Sequence, residues 1–376
     1  MHSLEAHIAL NLTTGFGPQL YQRLTAELGS AVAVFDARPE TLSRLEVPRS
    51  VVAGMRNVDQ CQIDASLRWA EADDCHLLTP ESAHFPALLD NLSDPPFLLY
   101  VRGDPVALQT PQIAIIGSRN PTSGGLQNAE QFAHHLAAGG LTITSGLALG
   151  VDSAAHSGAL RAAGRTVAVM GTGPDRIYPS VNRDLARRIL ESGGALVTEF
   201  PPGTSAKPGH FPRRNRLISG LSAGALVVEA GVRSGSLITA RLALEQGREV
   251  FAIPGSIHNP LARGCHLLIR EGAAKLVETA ADIMHELPAL LGAGLDPRKA
   301  SRAREDEDGK SETISADHAR VLEALGHDPV PMDILLQRIG LTPAELSSIL
   351  LILELQGRVT AMPGGRYARV WHEDLK

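Results

Sequence analysis

The chain has 376 residues, 44% of them hydrophobic and 20% charged, and a formal net charge of −6. This composition is ordinary for a globular protein, and the length exceeds what one hydrophobic core usually fills, so two or three domains are expected. The first thirty residues contain no basic segment followed by an apolar run, and no stretch has the roughly 18 consecutive apolar residues of a membrane span, which predicts a cytoplasmic protein without a membrane partner. The cysteines, Cys61, Cys75 and Cys265, are odd in number and widely spaced, so we expect no disulfide framework, no metal site and no cofactor.

The charge is unevenly distributed along the chain. Residues 1–109 carry 7 basic and 14 acidic side chains, residues 110–290 carry 17 and 13, and residues 291–376 carry 11 and 14. The middle region therefore has the basic excess that an anionic partner requires, although the chain as a whole is acidic.

Residues 1–75 are predicted to form a helical domain. Within it the segment 14–20, TGFGPQL, separates two helices of apolar period and resembles the turn of a helix-hairpin-helix or SAM-like unit. Backbone amides of such a turn can contact DNA phosphates. Because this part of the chain is acidic, a purely structural role is the favoured interpretation.

Residues 76–290 alternate short β-branched runs with stretches of helical period. The predicted strands are 112–116, 141–145, 165–170, 195–199, 225–229 and 249–253, and the predicted helices are 126–138, 153–163, 182–191 and 237–245. Such alternation, with nearly continuous apolar strands, predicts an α/β domain with a Rossmann-like, doubly wound parallel sheet covered by helices on both faces.

Glycines and polar residues gather in the loops that follow these strands. The loops are GSR at 117–119, GLALG at 146–150, GTG at 171–173, the segment 200–216, GVRSGS at 231–236 and PG at 254–255. In a parallel sheet all of them lie at one edge, where ligands bind, and glycines with helix N-termini suit an anion there. The sequence has neither GxGxxG nor GxxxxGK[ST], which argues against a dehydrogenase or a P-loop nucleotidase and favours a phosphodiester as the anion.

The segment 207–216, KPGHFPRRNR, is the most unusual in the chain because it places Phe211 and three arginines within six residues. Arginine forks match phosphate oxygens, and a flat ring offers a stacking face to any base, so nucleic acid is the predicted partner. The alternative is that Phe211 plugs a loop onto the core while the arginines face solvent or pair with carboxylates.

Four polar residues of this region have structural interpretations beside functional ones. Asp152 and His156 lie four apart on a predicted helix, which favours a local pair over catalysis. Glu229 ends a buried strand and is expected to order an arginine or a loop amide. Asn215 either contacts DNA or caps a helix over 216–221.

The end of the chain is predicted to form a separate unit. Residues 291–314 are polar and rich in charge, which indicates a linker. Residues 315–376 show three amphipathic helical stripes and a possible hairpin around 363–365, as in a winged-helix-like domain. Its candidate recognition helix, 343–356, carries two glutamates and no basic residue, so a protein-interaction or spacer role is at least as well supported as DNA binding.

The ordered motifs of the middle region resemble the DNA-processing protein A (DprA/Smf) family. They are GSR at 117–119, SGLALGVD at 145–152, GTGPD at 171–175, FPRRNR at 211–216, SGSLITA at 234–240 and PG at 254–255. The resemblance implies a non-enzymatic protein that binds single-stranded DNA, protects incoming DNA during natural transformation and helps load RecA recombinase. It also implies an extended Rossmann domain and a homodimer.

The resemblance further implies which residues bind DNA. Gly117, Ser118 and Arg119 would meet the backbone, Phe211 would stack on a base, and Arg213 and Arg216 would line the pocket. The full predicted set is Gly117, Ser118, Arg119, Gly146, Gly173, Lys207, Phe211, Arg213, Asn215, Arg216, Ser234 and Gly235. The family commonly has a lysine at the position of Pro208, so Lys207 stands one residue early.

Two other functions compete with DNA binding. The first is a nucleoside-monophosphate phosphoribohydrolase-like enzyme on a related Rossmann fold. Such enzymes use a PGGxGT stretch with a downstream glutamate, and residues 229–235, EAGVRSG, match it only loosely. The second is an interaction scaffold with the hairpin and winged units as partner sites.

Overall fold

The computed structural model describes residues 2–287, 316–326 and 328–370. Within these residues the chain forms an N-terminal group of helices, a nine-stranded sheet with helices on both faces, and a C-terminal unit with a three-stranded sheet. The predicted linker over 291–314 lies outside the described residues. The predicted domain boundaries stay predictions.

The N-terminal helices are α1 Ser3–Leu12, α2 Pro18–Leu28, α3 Ala31–Asp36, α4 Pro39–Arg44, α5 Arg49–Arg56 and α6 Gln60–Trp69. Pro18 begins α2 directly after Gly17, at a position where the missing backbone N–H has no helical partner to lose. Tyr21 of this helix stacks on Phe97 with ring centroids 4.4 Å apart. The helices thus share a core with Phe97, Leu98 and Tyr100, at the start of the sheet region.

The large sheet consists of β1 Cys75–Leu78, β2 Leu99–Gly103, β3 Gln112–Ile116, β4 Thr142–Ser145, β5 Thr166–Val169, β6 Ala195–Thr198, β7 Gly224–Val227, β8 Glu249–Ala252 and β9 Lys275–Leu276. Its strand order is β1-β2-β6-β5-β4-β3-β7-β8-β9. The strands from β3 to β9 run parallel, and β1 and β2 continue the β6 edge in antiparallel fashion. The predicted Rossmann-like parallel sheet is confirmed, and the antiparallel extension was not predicted.

The helices that cover the sheet are α7 Ser123–Ala138, α8 Val151–Arg161, α9 Arg183–Glu191, α10 His210–Gly220, α11 Gly235–Glu245, α12 Arg263–Arg270 and α13 Ala280–Glu286. Strand β3 shows why its sequence is continuously apolar: Ala114 and Ile116 enter one core and Ile113 and Ile115 the other. The strand order reverses at β3, because β4 lies on one side of it and β7 on the other. The loops after β3 and β7 diverge there and leave a crevice, as in other doubly wound sheets.

Helix α10 corrects the prediction of a loop over 200–216. The helix contains the whole run from Phe211 to Arg216, since Pro212 falls in its first turn, where backbone N–H groups have no helical partner. Glycine and proline around 208–212 gave the segment the composition of a loop. Asn215 lies in the middle of α10, so the alternative that it caps a helix over 216–221 is wrong.

The C-terminal unit contains α14 Ala316–Leu325, β10 Val330–Pro331, α15 Met332–Ile339, α16 Pro343–Leu355, β11 Val359–Met362 and β12 Arg366–Arg369. Thr342 and Glu345 cap α16 reciprocally. Gly364 and Gly365, both with positive φ, turn the hairpin between β11 and β12. The winged-helix prediction is confirmed.

In the described part of the chain, no single helix is long and apolar enough to cross a membrane. One pair, α15 and α16, reaches the required length and composition only as two segments bent by 110° at their junction.

Candidate nucleic-acid interface

A pocket of about 620 Å³ lies at the crevice between the loops after β3 and β7, and we call it the switch-point pocket. Strand β3, the loop before α8, helix α10 and the N-terminus of α11 all contribute to its wall. Of the twelve residues predicted to bind DNA, six line it: Gly117, Arg119, Phe211, Asn215, Ser234 and Gly235.

The predicted DNA-binding residues of helix α10 lie on two different faces of the helix. Phe211, Arg214, Asn215 and Ile218 follow helical spacing and line the switch-point pocket. Arg213 and Arg216 lie on the rest of the helix surface and do not line it. The structure therefore brings Arg214, which was not among the predicted site residues, into the pocket.

Phe211 is half-buried in the pocket wall. Its ring rests on the backbone of Gly171, where a Cβ would come within 3.0 Å of Phe211 Cδ1. The guanidinium carbon of Arg119 lies 5.5 Å from the Phe211 ring centroid, and the Tyr178 ring lies 5.6 Å from it. Phe211 thus belongs to an aromatic and cationic group that remains accessible from the pocket.

Arg214 is a buried cation, with 4% of its surface exposed. Its Nη1 donates a hydrogen bond of 2.9 Å to the carbonyl oxygen of Val169. A Cβ on Gly146 would lie 1.6 Å from that nitrogen, so only glycine leaves room for the guanidinium. Gly146 was predicted to bind DNA, and the structure gives it the role of making space for Arg214.

Asp152 is a buried acidic residue whose charge acts on Arg214. Its Oδ2 accepts hydrogen bonds from the backbone amides of Gly146 at 3.2 Å and Ala148 at 3.3 Å. Burial raises the pKa of Asp152, and the nearby charge of Arg214 opposes that shift. Burial also lowers the pKa of Arg214 to about 10, so the guanidinium stays protonated at neutral pH.

His156 does not pair with Asp152 as expected. Its Nδ1 lies 2.7 Å from Oγ1 of Thr166, and burial lowers its pKa to about 3, which leaves the ring neutral. The carboxylate of Asp152 accepts hydrogen bonds from the loop amides of Gly146 and Ala148 instead. The pair was predicted because both residues lie on one face of a helix. In the structure each side chain instead bonds to residues outside that helix.

The loop 117–119 is fixed by its backbone. The Ser118 amide donates to the carbonyl oxygen of Glu229 at 2.7 Å, and the Ser118 carbonyl accepts from Val151 at 3.1 Å. Gly117 is pressed against the same two residues, because a Cβ there would lie 2.7 Å from Val151 Cγ2. The Ser118 amide is therefore already paired, and Gly117 and the exposed side chain of Arg119 are the parts of this loop that line the switch-point pocket.

Glu229 orders a loop amide, as predicted. Its Oε2 accepts from the Thr122 amide at 2.8 Å, and its Oε1 accepts from Thr122 Oγ1 at 2.7 Å and from Asn259 Nδ2 at 3.0 Å. These bonds tie the N-terminus of α7 and the loop after β8 to the end of β7. They fix the geometry of the crevice.

The N-terminus of α11 adds the partial positive charge of its backbone amides to the pocket. Ser234 caps this helix by accepting from the Ser236 amide at 3.3 Å, and Gly235 and Ser236 form its first turn in the pocket wall. The first amides of a helix and its dipole favour an anion at this position.

Arg216 is paired inside the protein, whereas Arg213 lies on its surface. Arg216 is 5% exposed and forms ion pairs with Asp94 at 2.9 Å and Glu199 at 2.5 Å. Arg213 is more exposed, and its guanidinium lies over the Phe200 ring at 5.4 Å.

The two remaining predicted residues lie beside the switch-point pocket and do not line it. Gly173 packs against the loop 201–204, where a Cβ would lie 2.5 Å from the carbonyl oxygen of Pro201. Lys207 is exposed and directly precedes Pro208, which lines the pocket. Ser118, Gly146, Arg213 and Arg216 complete the six predicted residues that stand outside the lining. Whether any of the twelve contacts DNA stays a prediction.

Residues 2–287, 316–326 and 328–370 contain no group of three or more His, Cys, Asp or Glu residues that could hold a metal ion.

The fold and the pocket define an extended Rossmann-like protein with a pocket at the switch point of its sheet. Residues 76–288 match the family model described as DNA recombination-mediator protein A, and residues 301–365 match the DprA winged helix domain. The chain belongs to the DNA-processing protein A (DprA/Smf) family.

Relatives and solved structures agree with this assignment. The chain is 43% identical over 308 residues to Protein Smf of Escherichia coli, covering 82% of this chain and 81% of that protein. It is 42% identical to the DNA processing protein DprA of Streptococcus pneumoniae over 58% of this chain and 80% of that protein. The X-ray structure of DprA from S. pneumoniae has a TM-score of 0.67 at 33% identity, covering 76% of this chain and 98% of that one.

A second solved structure is DNA processing protein A from Helicobacter pylori, reported for its single-stranded DNA binding mode. It has a TM-score of 0.52 at 32% identity and covers 58% of this chain and 98% of that one.

Proposed function

We propose that this protein binds single-stranded DNA in the switch-point pocket, protects incoming DNA during natural transformation and helps load RecA recombinase onto it. It acts in the cytoplasm as a homodimer and without catalysis. The observation that carries the proposal is the grouping of half-buried Phe211 with Arg119 and Arg214 in one pocket. The H. pylori relative, described by its single-stranded DNA binding mode, supports the same ligand.

The charges of the pocket favour a phosphodiester. Two guanidinium groups, Arg119 and Arg214, line it, and Asp152 is the acidic residue in its lining. The amides at the start of α11 add further positive polarity. The excess of one positive charge suits a backbone phosphate, and Phe211 supplies a stacking face that accepts any base.

The phosphoribohydrolase alternative requires a carboxylate that can reach a sugar. Asp152 is buried against Arg214 and loop amides, and both oxygens of Glu229 accept hydrogen bonds from Thr122 and Asn259. This arrangement favours binding over hydrolysis. Release of free base from a nucleoside monophosphate by purified protein would contradict the proposal.

Single strands should be preferred over blunt duplex of equal length, because base stacking requires an unpaired base. If Arg119, Lys207 and Arg214 each neutralise one phosphate, log K should fall with log salt at a slope of about −2, taking about 0.7 per phosphate. Fluorescence anisotropy with labelled oligo(dT) between low and moderate salt measures both quantities. Equal affinity for duplex in direct competition contradicts the proposal.

Stacking and charge are separable by two single substitutions. Phe211→Ala should weaken binding by roughly 1–3 kcal/mol with an unchanged salt slope, since no phosphate contact is lost. Arg119→Ala should lower the slope by about 0.7. Anisotropy titrations at several salt concentrations distinguish the two. Loss of folding in Phe211→Ala, with Arg119→Ala binding normally, would instead make Phe211 a core residue.

The partner proposals have their own measurements. RecA filament assembly on single strands coated with a single-strand-binding protein should accelerate when this protein is added. Molar mass in solution should correspond to two chains. A monomer, or a rate of assembly unaffected by the protein, would remove these two parts and leave DNA binding to be judged separately.

A further inference from the structure

Three large apolar side chains are exposed beside the switch-point pocket. Tyr178, which lines it, is 51% exposed, and Val181, in the same loop between β5 and α9, is 72% exposed. Leu149, in the loop before α8, is 46% exposed. We call these three residues the apolar rim. Neither the charge of the pocket nor the packing of the sheet explains why such side chains face solvent here.

The two loops that carry the apolar rim are held together. Asn182 Nδ2 donates to the Leu147 carbonyl at 2.8 Å and lies 3.0 Å from Ser153 Oγ. The Tyr178 loop is closed by a second bond, from Thr172 Oγ1 to the carbonyl of Arg176 at 2.7 Å. Tyr178 is therefore an exposed ring on a fixed backbone, which lowers the entropic cost of stacking against it.

The two rings of the pocket cannot hold one base between them. Their centroids are 5.6 Å apart and their planes are inclined by 41°. A base sandwiched between two rings needs a separation of about 7 Å, twice the stacking distance of about 3.4 Å. Tyr178 and Phe211 thus present separate surfaces, each able to receive its own base.

Polar partners do not account for the position of Tyr178. Across the part of the chain that the structure describes, its hydroxyl forms no hydrogen bond. Buried or half-buried tyrosines usually place the hydroxyl against a partner. The exposed feature of Tyr178 is its ring.

We infer that Tyr178 is a second stacking platform, and that the ligand of the switch-point pocket is two consecutive nucleotides of a single strand. One base stacks on Phe211 and its neighbour stacks on Tyr178, the residue of the apolar rim that lines the pocket. Arg119 and the α11 amides meet the phosphate. The inference rests on the proposed function, because it needs single-stranded DNA as the ligand.

Tyr178→Ala should weaken the binding of dT10 by roughly 5- to 150-fold, the range of one lost stack, without changing the salt slope. Tyr178→Phe should bind within about twofold of the parent protein, because the ring does the stacking. Val106→Ala, which trims an exposed apolar side chain elsewhere, serves as the matched control and should have no effect.

A spectroscopic variant reports on contact directly. In a Tyr178→Trp protein, indole fluorescence should be quenched when dT10 is added, as expected for a base stacked on the ring. Thermal melting of each variant identifies one that fails to fold, in which case the Tyr178→Trp and Tyr178→Phe proteins decide.

The outcomes distinguish this inference from the proposed function. If the parent protein binds dT10 while Tyr178→Ala binds equally well, or Tyr178→Trp is not quenched, the second platform is wrong and DNA binding stands. Failure of the parent protein to bind dT10 overturns both.

Discussion

Arg214→Ala should reduce affinity for single-stranded DNA by at least tenfold. The substitution removes the buried cation of the switch-point pocket, and hydrogen bonds to charged groups contribute about 1.5–3 kcal/mol each. The salt slope should also fall by about 0.7. Anisotropy titration with oligo(dT) at several salt concentrations measures both effects.

The same substitution should destabilise the fold. Asp152 is buried, and the nearby charge of Arg214 offsets part of the cost of burying its carboxylate, so Arg214→Ala leaves that carboxylate less well compensated. Urea unfolding at pH 7 measures the loss, and DNA binding is then compared below the melting temperature of the variant.

The destabilisation should depend on pH in a defined direction. Burial raises the pKa of the Asp152 carboxyl above its unfolded value, and Arg214 partly opposes this. A carboxyl whose folded pKa is raised contributes stability fully below the unfolded pKa of about 3.9, and that contribution is lost as the pH rises through the folded pKa. Without Arg214 the folded pKa rises further, so the stability of Arg214→Ala should recover relative to the parent protein as the pH falls.

Arg213→Ala is the matched control for Arg214→Ala. It removes the same charge from the adjacent position of α10, and Arg213 lies outside the pocket lining. Its Nε is 3.8 Å from Glu199, a partly exposed pair worth about 0–1 kcal/mol. If Arg213→Ala lowers affinity as much as Arg214→Ala does, the guanidinium of Arg214 is not a specific ligand.

Arg216→Ala should lower the stability of the fold strongly without changing the salt dependence of DNA binding. Arg216 pairs with Asp94 and with buried Glu199, whose exposed fraction is 4%. Deleting the guanidinium leaves Glu199 buried beside the more distant Arg213, and the expected cost is about 3–5 kcal/mol of unfolding free energy. The salt slope of DNA binding should not change, because Arg216 does not reach the pocket.

Thermal or urea unfolding, combined with the salt slope of the folded variant, tests this assignment. Asp94→Ala is the milder companion, since Asp94 is the more exposed of the two acidic partners. A variant Arg216→Ala that keeps full stability and loses one phosphate contact would return Arg216 to the DNA-binding residues.

The sheet was predictable because its strands are buried on both faces. Strands such as β3, with four consecutive buried apolar residues, have a pattern that tertiary contacts do not alter. Strands β1 and β2 were missed because they lie outside the β-α alternation that identified the other strands, and they join the sheet by antiparallel pairing of β1 with β2 and of β2 with β6. Two-residue β9 is too short to carry a pattern.

The sequence indicated which segments of the chain form the pocket. It did not indicate which arginine of the segment 211–216 faces the pocket. Motif order placed Arg119 and Phe211 correctly in one pocket. Because the arginine run was predicted to be a loop, helical spacing was not applied to it. In a helix, Phe211 and Arg214 lie on one face and Arg213 lies on another. Applying a period of 3.6 from Phe211 would have identified Arg214.

Arg119 and a stacked base compete for the same aromatic surface. The guanidinium carbon of Arg119 stands 5.5 Å from the centroid of Phe211. A base inserted between them would need about 7 Å, so Arg119 must swing away before a base can stack on that face of the ring. The free protein thus shields its ring with the side chain that, under the proposed function, would meet the phosphate. Displacement of Arg119 would then be a step of association, and we expect its rate to depend on salt.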